Sequence, residues 1–180
     1  IAGNSNIIEG STIQDCSVGM RVNGTSTIIG GSVAAARNVV AGNTNDGIAL
    51  EGGSGTRISG NFIGTDLNGL KRNGNGTGIA VGNSTNNIIG GGNTNERNVI
   101  SGNNFIGIEL GSAANGNIIQ GNYIGVDALG TGALGNGSSV EGILAAIFID
   151  GASNNTIGGT AAGFRNIIAN QIGNGVAIFQ

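Results

Sequence analysis

The side chains of this protein that are suited to acid–base chemistry are carboxylates. The 180-residue sequence contains no His and a single Cys, Cys16, which excludes Ser-His-Asp triads, Cys-His pairs and Cys/His zinc sites. Asp66 and Asp127 end two related segments, NFIGTD at 61–66 and NYIGVD at 122–127. Inverting glycosidases activate water with two carboxylates about 6.5–9.5 Å apart. The pair is therefore the first candidate for an acid/base or cation-binding site.

The same two segments carry aromatic residues that are candidates for ligand binding. Phe62 and Tyr123 occupy equivalent positions, and strand alternation points both outward together with Val39, Val99 and Ile167. An aromatic stripe of this kind is able to stack on sugar rings. The alternative is that the loops at 32–36 and 92–96 fold over the stripe and cover it.

Internal repeats determine how these residues are positioned. RNVVAGN at 37–43 returns as RNVISGN at 97–103 and RNIIANQ at 165–171, and IIGG at 28–31 returns at 88–91. Each long repeat contains two shorter periods, which are marked by Gly-apolar-x-apolar runs such as GIAL and GIEL. Most successive runs of this type are 28 to 31 residues apart. Repeats of this length indicate a solenoid rather than a closed globular fold.

Each short period contains three short apolar runs separated by Gly, Asn, Ser and Thr, the pattern of strands joined by tight turns. The sequence therefore predicts an all-β solenoid of about six coils with three parallel sheets, as a single domain over 1–180 and a segment of a longer repeat array. The predicted core columns are Met20, Ile48, Ile79, Ile108, Ile147 and Val176; Ile8, Ile29, Ile58, Ile89, Ile119 and Ile157; and Ile13, Val40, Ile63, Ile100, Ile124 and Ile168. Loop insertions alternate between coils, at 32–36, 92–96 and 160–164 and then at 67–77 and 128–145.

Polar residues follow the same register. Asn38, Asn61, Asn98, Asn122 and Asn166 fall at one corner, where stacked amides can bond to one another. Arg37, Arg97 and Arg165 precede them in alternate coils and are expected to anchor loops through carbonyl groups. At about 4.8 Å per coil, Asp66 and Asp127 should lie about 10 Å apart with Asn103 between them. The alternative for both Asp residues is that they start a turn, as Asn43 and Asn103 do in the same predicted column.

The insertion at 128–145 contains one further local pattern. Ser138 and Glu141 have capping-box spacing before Ile143, Leu144 and Ile147, which predicts a short helical turn within the insertion.

These motifs carry a resemblance that covers essentially the whole chain. The series N-x-I-I-G-G, R-N-V-I-S-G-N, G-I-x-L and G-N-Y-I-G-x-D resembles the right-handed parallel β-helix repeat proteins of the pectate-lyase-like superfamily, particularly the repeat arrays of secreted and surface bacterial proteins. The resemblance implies a right-handed parallel β-helix and an extracellular or cell-surface location. It also implies, for a lyase, calcium held by carboxylates beside an Arg or Lys base, which Asp66 with Lys71 and Arg72 match most nearly. The Gly-His-Gly segment of galacturonases is absent.

Two functions from different classes remain open. The first is a structural or adhesive module that associates end to end with further copies of itself. The second is a β-helix that binds or cleaves polysaccharide, as a lyase or glycoside hydrolase. Whether the chain is an enzyme stays open, with the missing motifs favouring a non-enzyme, and no metal or cofactor is predicted beyond the calcium that the resemblance implies. Seven basic residues against ten acidic ones give no signature for nucleic acid, and the longest apolar stretch, 143–149, is too short to span a membrane.

Overall fold

The computed structural model describes residues 3–138 and 142–180, and within them the chain folds into short β-strands arranged in six successive coils. Each coil contains three strands. The first three coils contain β1 (Ile7–Ile8), β2 (Thr12–Gln14) and β3 (Met20–Asn23); β4 (Ile28–Gly30), β5 (Val39–Ala41) and β6 (Asp46–Gly52); and β7 (Arg57–Ser59), β8 (Phe62–Ile63) and β9 (Thr77–Val81). The last three contain β10 (Ile88–Gly90), β11 (Val99–Ile100) and β12 (Ile106–Leu110); β13 (Ile118–Gln120), β14 (Tyr123–Ile124) and β15 (Ala145–Asp150); and β16 (Thr156–Ile157), β17 (Ile167–Ile168) and β18 (Asn174–Phe179).

Equivalent strands of successive coils pair in parallel and form three six-stranded sheets. Sheet 1 has the order β1-β4-β7-β10-β13-β16, sheet 2 the order β2-β5-β8-β11-β14-β17, and sheet 3 the order β3-β6-β9-β12-β15-β18. A strand of two to seven residues cannot bury enough surface alone, so each coil depends on its neighbours above and below. The predicted parallel β-solenoid with three sheets is confirmed.

The core is built from the three predicted columns of β-branched residues. Pairing places Ile58 against Ile89 and Ile63 against Ile100, in the predicted register. The fully buried positions include Ile29, Ile58, Ile89 and Ile119 of sheet 1, Val40, Ile63, Ile100 and Ile124 of sheet 2, and Ile48, Ile79, Ile108 and Ile147 of sheet 3. β-Branched side chains suit this arrangement because they pack closely on a pleated surface.

Insertions alternate between coils as predicted. Coils two, four and six carry a single 3₁₀ turn between sheet 1 and sheet 2, at Ala34–Ala36, Thr94–Glu96 and Ala162–Phe164. Coils three and five instead carry a small hairpin after sheet 2, over 64–73 and 125–134. The helical turn predicted from Ser138 and Glu141 lies in part outside the described residues.

The predicted Asn column is a continuous ladder of buried amides. The side-chain Nδ2 of Asn61 donates to Oδ1 of Asn98 at 3.1 Å and to the backbone oxygen of Ile29 in the preceding coil at 2.9 Å. Asn98 in turn donates to Oδ1 of Asn122 at 3.0 Å, and Asn122 donates to Asn166 at 3.2 Å. Each amide is thus satisfied on both sides, as a buried polar group requires.

Two further amide ladders, which were not predicted from the sequence, occupy the other two corners. The second contains Asn43, Asn75, Asn103, Asn136 and Gln171. The third contains Asn87, Asn117 and Asn155. The prediction that Asn43 and Asn103 share a column with Asp66 and Asp127 is wrong, because the hairpins are inserted before this corner and Asn75 and Asn136 take the ladder positions.

The first testable prediction concerns the first ladder. Asn98→Ala should lower the free energy of unfolding by about 1–3 kcal/mol, because Nδ2 and the backbone N–H of Asn61 both lose their acceptor in the interior. Chemical denaturation of the variant and the parent protein measures the difference. Asn95→Ala, at an exposed loop position, is the matched control and should change stability little; equal effects of the two substitutions would mean that the ladder contributes nothing.

A second prediction concerns the position that precedes the first amide of the third ladder. Thr56 stands one coil before Asn87 and donates its backbone N–H to Oδ1 of Asn87 at 2.8 Å, but its buried hydroxyl has no hydrogen-bond partner. Thr56→Asn extends the ladder by one amide and should raise the free energy of unfolding by about 0.5–1.5 kcal/mol. Thr160→Asn, at an exposed position, is the control for composition in the same denaturation experiment. A lower midpoint for Thr56→Asn would show that the corner has no room for the amide.

Candidate functional site

The charged residues predicted for the site lie on two matching hairpins that follow strands β8 and β14 of sheet 2. In the first, an antiparallel bridge joins Thr65 to Arg72; in the second, one joins Val126 to Ala133. The two hairpins contact each other, since the backbone N–H of Ala128 donates to the oxygen of Gly69 at 2.9 Å. The repeat therefore places Asp66 and Asp127 at equivalent positions of neighbouring hairpins, two coils apart.

Each Asp side chain is turned into its own hairpin. Oδ1 of Asp66 accepts backbone N–H groups of Leu70 at 2.8 Å and Lys71 at 3.1 Å. Oδ1 of Asp127 accepts those of Leu129 and Thr131, both at 3.1 Å. This is the geometry by which Asp closes a turn.

These hydrogen bonds control the ionisation of both groups. Slight desolvation acts to raise the pKa of Asp66, but the backbone N–H groups of Leu70 and Lys71, supported by the Lys71 charge, outweigh it and lower the pKa. The backbone N–H groups of the second hairpin, that of Gly132 first, likewise lower the pKa of Asp127. Both groups are thus held as carboxylates, the opposite of the raised pKa that a general acid needs.

The basic candidates do not converge on these carboxylates. Lys71 and Arg72 are exposed, and Nη2 of Arg72 donates to the backbone oxygen of Gly135 at 2.6 Å. Lys71 acts on Asp66 only through its charge and its backbone N–H. The first hairpin therefore brings Asp66 and Lys71 together, whereas Arg72 ties this hairpin to the chain that follows the second one.

The outward column predicted for sheet 2 is present and is covered locally. Phe62 pairs with Val99 and Val99 with Tyr123, yet Phe62 is only 5% exposed. The guanidinium carbon of Arg37 lies 4.1 Å from the centre of the Phe62 ring. Gly69, at φ +70°, lies so close to the ring edge that a Cβ there would approach it to 2.9 Å. The cover thus comes from an arginine and a hairpin rather than from the loop at 32–36.

Tyr123 repeats this arrangement two coils on, with its side chain half-buried. The guanidinium carbon of Arg97 lies 4.1 Å from its ring centre, and Gly130 of the second hairpin lies against the ring edge. Together the two hairpins and two arginines leave the aromatic stripe with little free face for a sugar ring.

The predicted anchoring of loops through arginine is confirmed for two residues. Nε of Arg37 donates to the oxygen of Gly60, and Nε of Arg97 to that of Gly121, both at 3.2 Å. The stacking of these guanidinium groups on Phe62 and Tyr123 was not predicted. The sequence does contain a signal for this stacking. Phe62 follows Arg37 by 25 positions and Tyr123 follows Arg97 by 26, and within this outward column an aromatic residue occurs only in the coil after one of these arginines.

Between the two arginines lies a groove of about 390 Å³, here called the arginine groove. Its lining consists of Arg37, Phe62, Leu67, Asn68, Thr94, Asn95, Arg97, Val99 and Ala128. Apart from its apolar floor, the groove offers guanidinium, amide and hydroxyl groups.

Sheet 3 has a different electrostatic character, which sequence reasoning missed. Burial raises the pKa of Glu109 on its outward face, and the nearby carboxylates of Asp46 and Asp150 raise it further. Burial also raises the pKa of Asp46, with Arg21 opposing the shift. In the described part of the chain, no three His, Cys, Asp or Glu side chains form a group suited to hold a metal ion.

Comparison of the chain with protein-family models, with curated proteins and with solved structures finds no significant match. Across residues 3–138 and 142–180, no helix is both long and apolar enough to cross a membrane.

The third prediction follows from the lowered pKa of Asp66. A carboxylate with a depressed folded-state pKa contributes stability above its ordinary value of 3.8, and this contribution is lost as the pH falls through the folded-state pKa. Asp66→Asn should therefore reduce the free energy of unfolding at pH 7, by less than about 1 kcal/mol at this surface position. The difference from the parent protein should narrow as the pH falls from 7 to 2, because Asp66 becomes protonated as the pH passes through its lowered folded-state pKa.

Denaturation at both pH values measures the effect. Asp15→Asn changes an exposed carboxylate that accepts no hydrogen bond among the described residues, and serves as control. A constant difference between Asp66→Asn and the parent protein at both pH values would contradict the assigned role of the hairpin N–H groups.

Proposed function

We propose that this chain is a structural module, a stiff β-helical rod that belongs to a secreted or cell-surface repeat protein of the pectate-lyase-like kind. The observation that supports the proposal most directly is the run of amide ladders at all three corners, together with core columns that continue from coil to coil. Each coil is fixed to the next by main-chain bonds, side-chain amides and apolar contacts. Bending such a rod requires breaking several of these at one level.

The alternative, a β-helix that binds or cleaves polysaccharide, receives less support from the same residues. The carboxylates of Asp66 and Asp127 are engaged by their own hairpins. Phe62 is covered by Arg37, and Arg72 holds a backbone oxygen. Most of the groups expected to face a sugar chain thus make contacts within the protein instead.

The outer edge of β18 is the surface on which a further coil would pack. Ile178 is 67% exposed although it continues the column of Ile149, which is 5% exposed. Val176 of the same strand is 42% exposed in the column of Ile147. An interior column that ends in exposed apolar side chains, beside unpaired strand groups, is a template for another coil. We infer that the first coil of a second copy stacks on this end, so that its β3, the first strand of sheet 3, pairs with β18.

The strand also shows which side chains face that junction. Ala177 packs with Phe148 on the outward side of sheet 3, and Phe179 contacts the Phe148 ring at 5.5 Å between centroids. Ala177 and Phe179 therefore point away from the interior, whereas Val176 and Ile178 continue it.

The fourth prediction tests end-to-end association. Sedimentation velocity of the chain should show a weight-average mass that rises with concentration, and Ile178→Lys should abolish the rise because a charge would be buried in the junction. Leu129→Lys places the same charge at a 70% exposed hairpin position and should associate like the parent protein. A parent protein that stays monomeric at high concentration would overturn the assembly role.

A further inference from the structure

The guanidinium groups of Arg37 and Arg97 are held in fixed orientations on the outward face of sheet 2. Each is attached at two points, through Nε to a backbone oxygen at 3.2 Å and through its face to an aromatic ring at 4.1 Å. Stacking of this type restrains the planar group without using its outer nitrogen atoms.

Those outer nitrogen atoms have no protein partner in the described part of the chain. The contacts of both arginines are made by Nε and by the guanidinium face, and both side chains are half-buried. Four N–H donors on each guanidinium group thus remain for a ligand at the walls of the arginine groove.

The spacing of the two arginines is set by the sheet. Phe62, Val99 and Tyr123 are successive neighbours across sheet 2, so the rings beneath the two guanidinium groups lie about 9.6 Å apart, twice the distance between adjacent strands. Val99 forms the floor between them. A tetrahedral anion with a charge-assisted hydrogen bond of about 2.8 Å on each side fits a gap of this order.

The acidic groups nearest to the groove are engaged with other partners, so the charge of the two arginines in the groove is not neutralised. Glu96, on the adjoining 3₁₀ turn, pairs with Arg57 at 2.7 Å and accepts from Asn93. Asp66, on the adjoining hairpin, faces its own backbone N–H groups. The side chains of Asn68, Asn95 and Thr94 also line the groove, and none has a hydrogen-bond partner among the described residues.

We propose that the arginine groove is a binding site for a tetrahedral oxyanion, a phosphate or sulfate group, bridged by the outer nitrogen atoms of Arg37 and Arg97. Guanidinium is the side chain best suited to such a group, because its planar fork donates two parallel hydrogen bonds. The side-chain amides of Asn68 and Asn95 supply further donors at the rim. The site does not depend on end-to-end association, since it lies on the side of the rod.

The experiment is a titration followed by ¹⁵N-¹H correlation spectra of the arginine Nε–H groups. Sodium sulfate, inorganic phosphate and methyl phosphate are the probes, each matched in ionic strength by sodium chloride. The signals of Arg37 and Arg97 should shift together and reach saturation with sulfate and phosphate, and not with chloride. Saturation with methyl phosphate as well assigns the site to an ester on a larger ligand; saturation with the inorganic ions alone assigns it to a free anion.

Two conservative variants and one matched control complete the test. Arg37→Lys and Arg97→Lys keep the charge but lose the fork, and each should weaken binding about tenfold or more. Arg165→Gln removes a charge at the equivalent position of coil six, where the exposed side chain has no ring contact among the described residues, and should bind like the parent protein. Non-saturating shifts, equal shifts with chloride, or an equal response of Arg165 would overturn the proposal, and the parent protein alone decides this if a variant fails to fold.

Discussion

The structure depends on the pairing of buried side-chain amides, which form ladders along all three corners of the solenoid. Unpaired, each such amide would cost about 1–3 kcal/mol. A buried Asn such as Asn61 or Asn103 is acceptable because the coils before and after it supply an acceptor and donors at the correct height. The ladders therefore specify the vertical register that the apolar columns alone would leave open, since one Ile stacks on another with little directional preference.

Much of the fold could be predicted because the same pattern of short apolar runs and turn residues recurs in every coil. Six short apolar runs in each column, such as those of Ile89 and Ile119, left a single register compatible with all of them, and the structure has that register. The first Asn corner was visible because each of its residues stands directly before the short apolar pair of sheet 2, as in RNVV and NFIG. The second was hidden by the hairpins at 64–73 and 125–134. Asn75 and Asn136 each follow the core Ile of the preceding strand by 12 positions, whereas Asn43 follows Val40 by three.

The candidate site was less predictable, because the sequence names residue types and not the direction of their side chains. Asp66 and Asp127 were found at matching positions, but whether a carboxylate faces solvent or its own turn depends on the backbone of the hairpin. The contact of Arg37 with Phe62 joins two coils. It explains why the chain alternates two kinds of coil: the first extends an arginine forward and the second provides the ring that receives it, so the structural unit is a pair of coils.

All three ladders run in the same direction along the rod. In every step the Nδ2 group of one coil donates to the side-chain amide oxygen of the next, as from Asn38 to Asn61 and from Asn87 to Asn117. The amide dipoles therefore add head to tail, and each hydrogen bond polarises its successor. The rod has a chemical polarity: one end finishes in amide donors, of which the buried Nδ2 of Asn155 is still unpaired. Any coil that extends the rod from that end has to present oxygen atoms to it, so growth with reversed polarity is disfavoured by the side chains as well as by the parallel sheets.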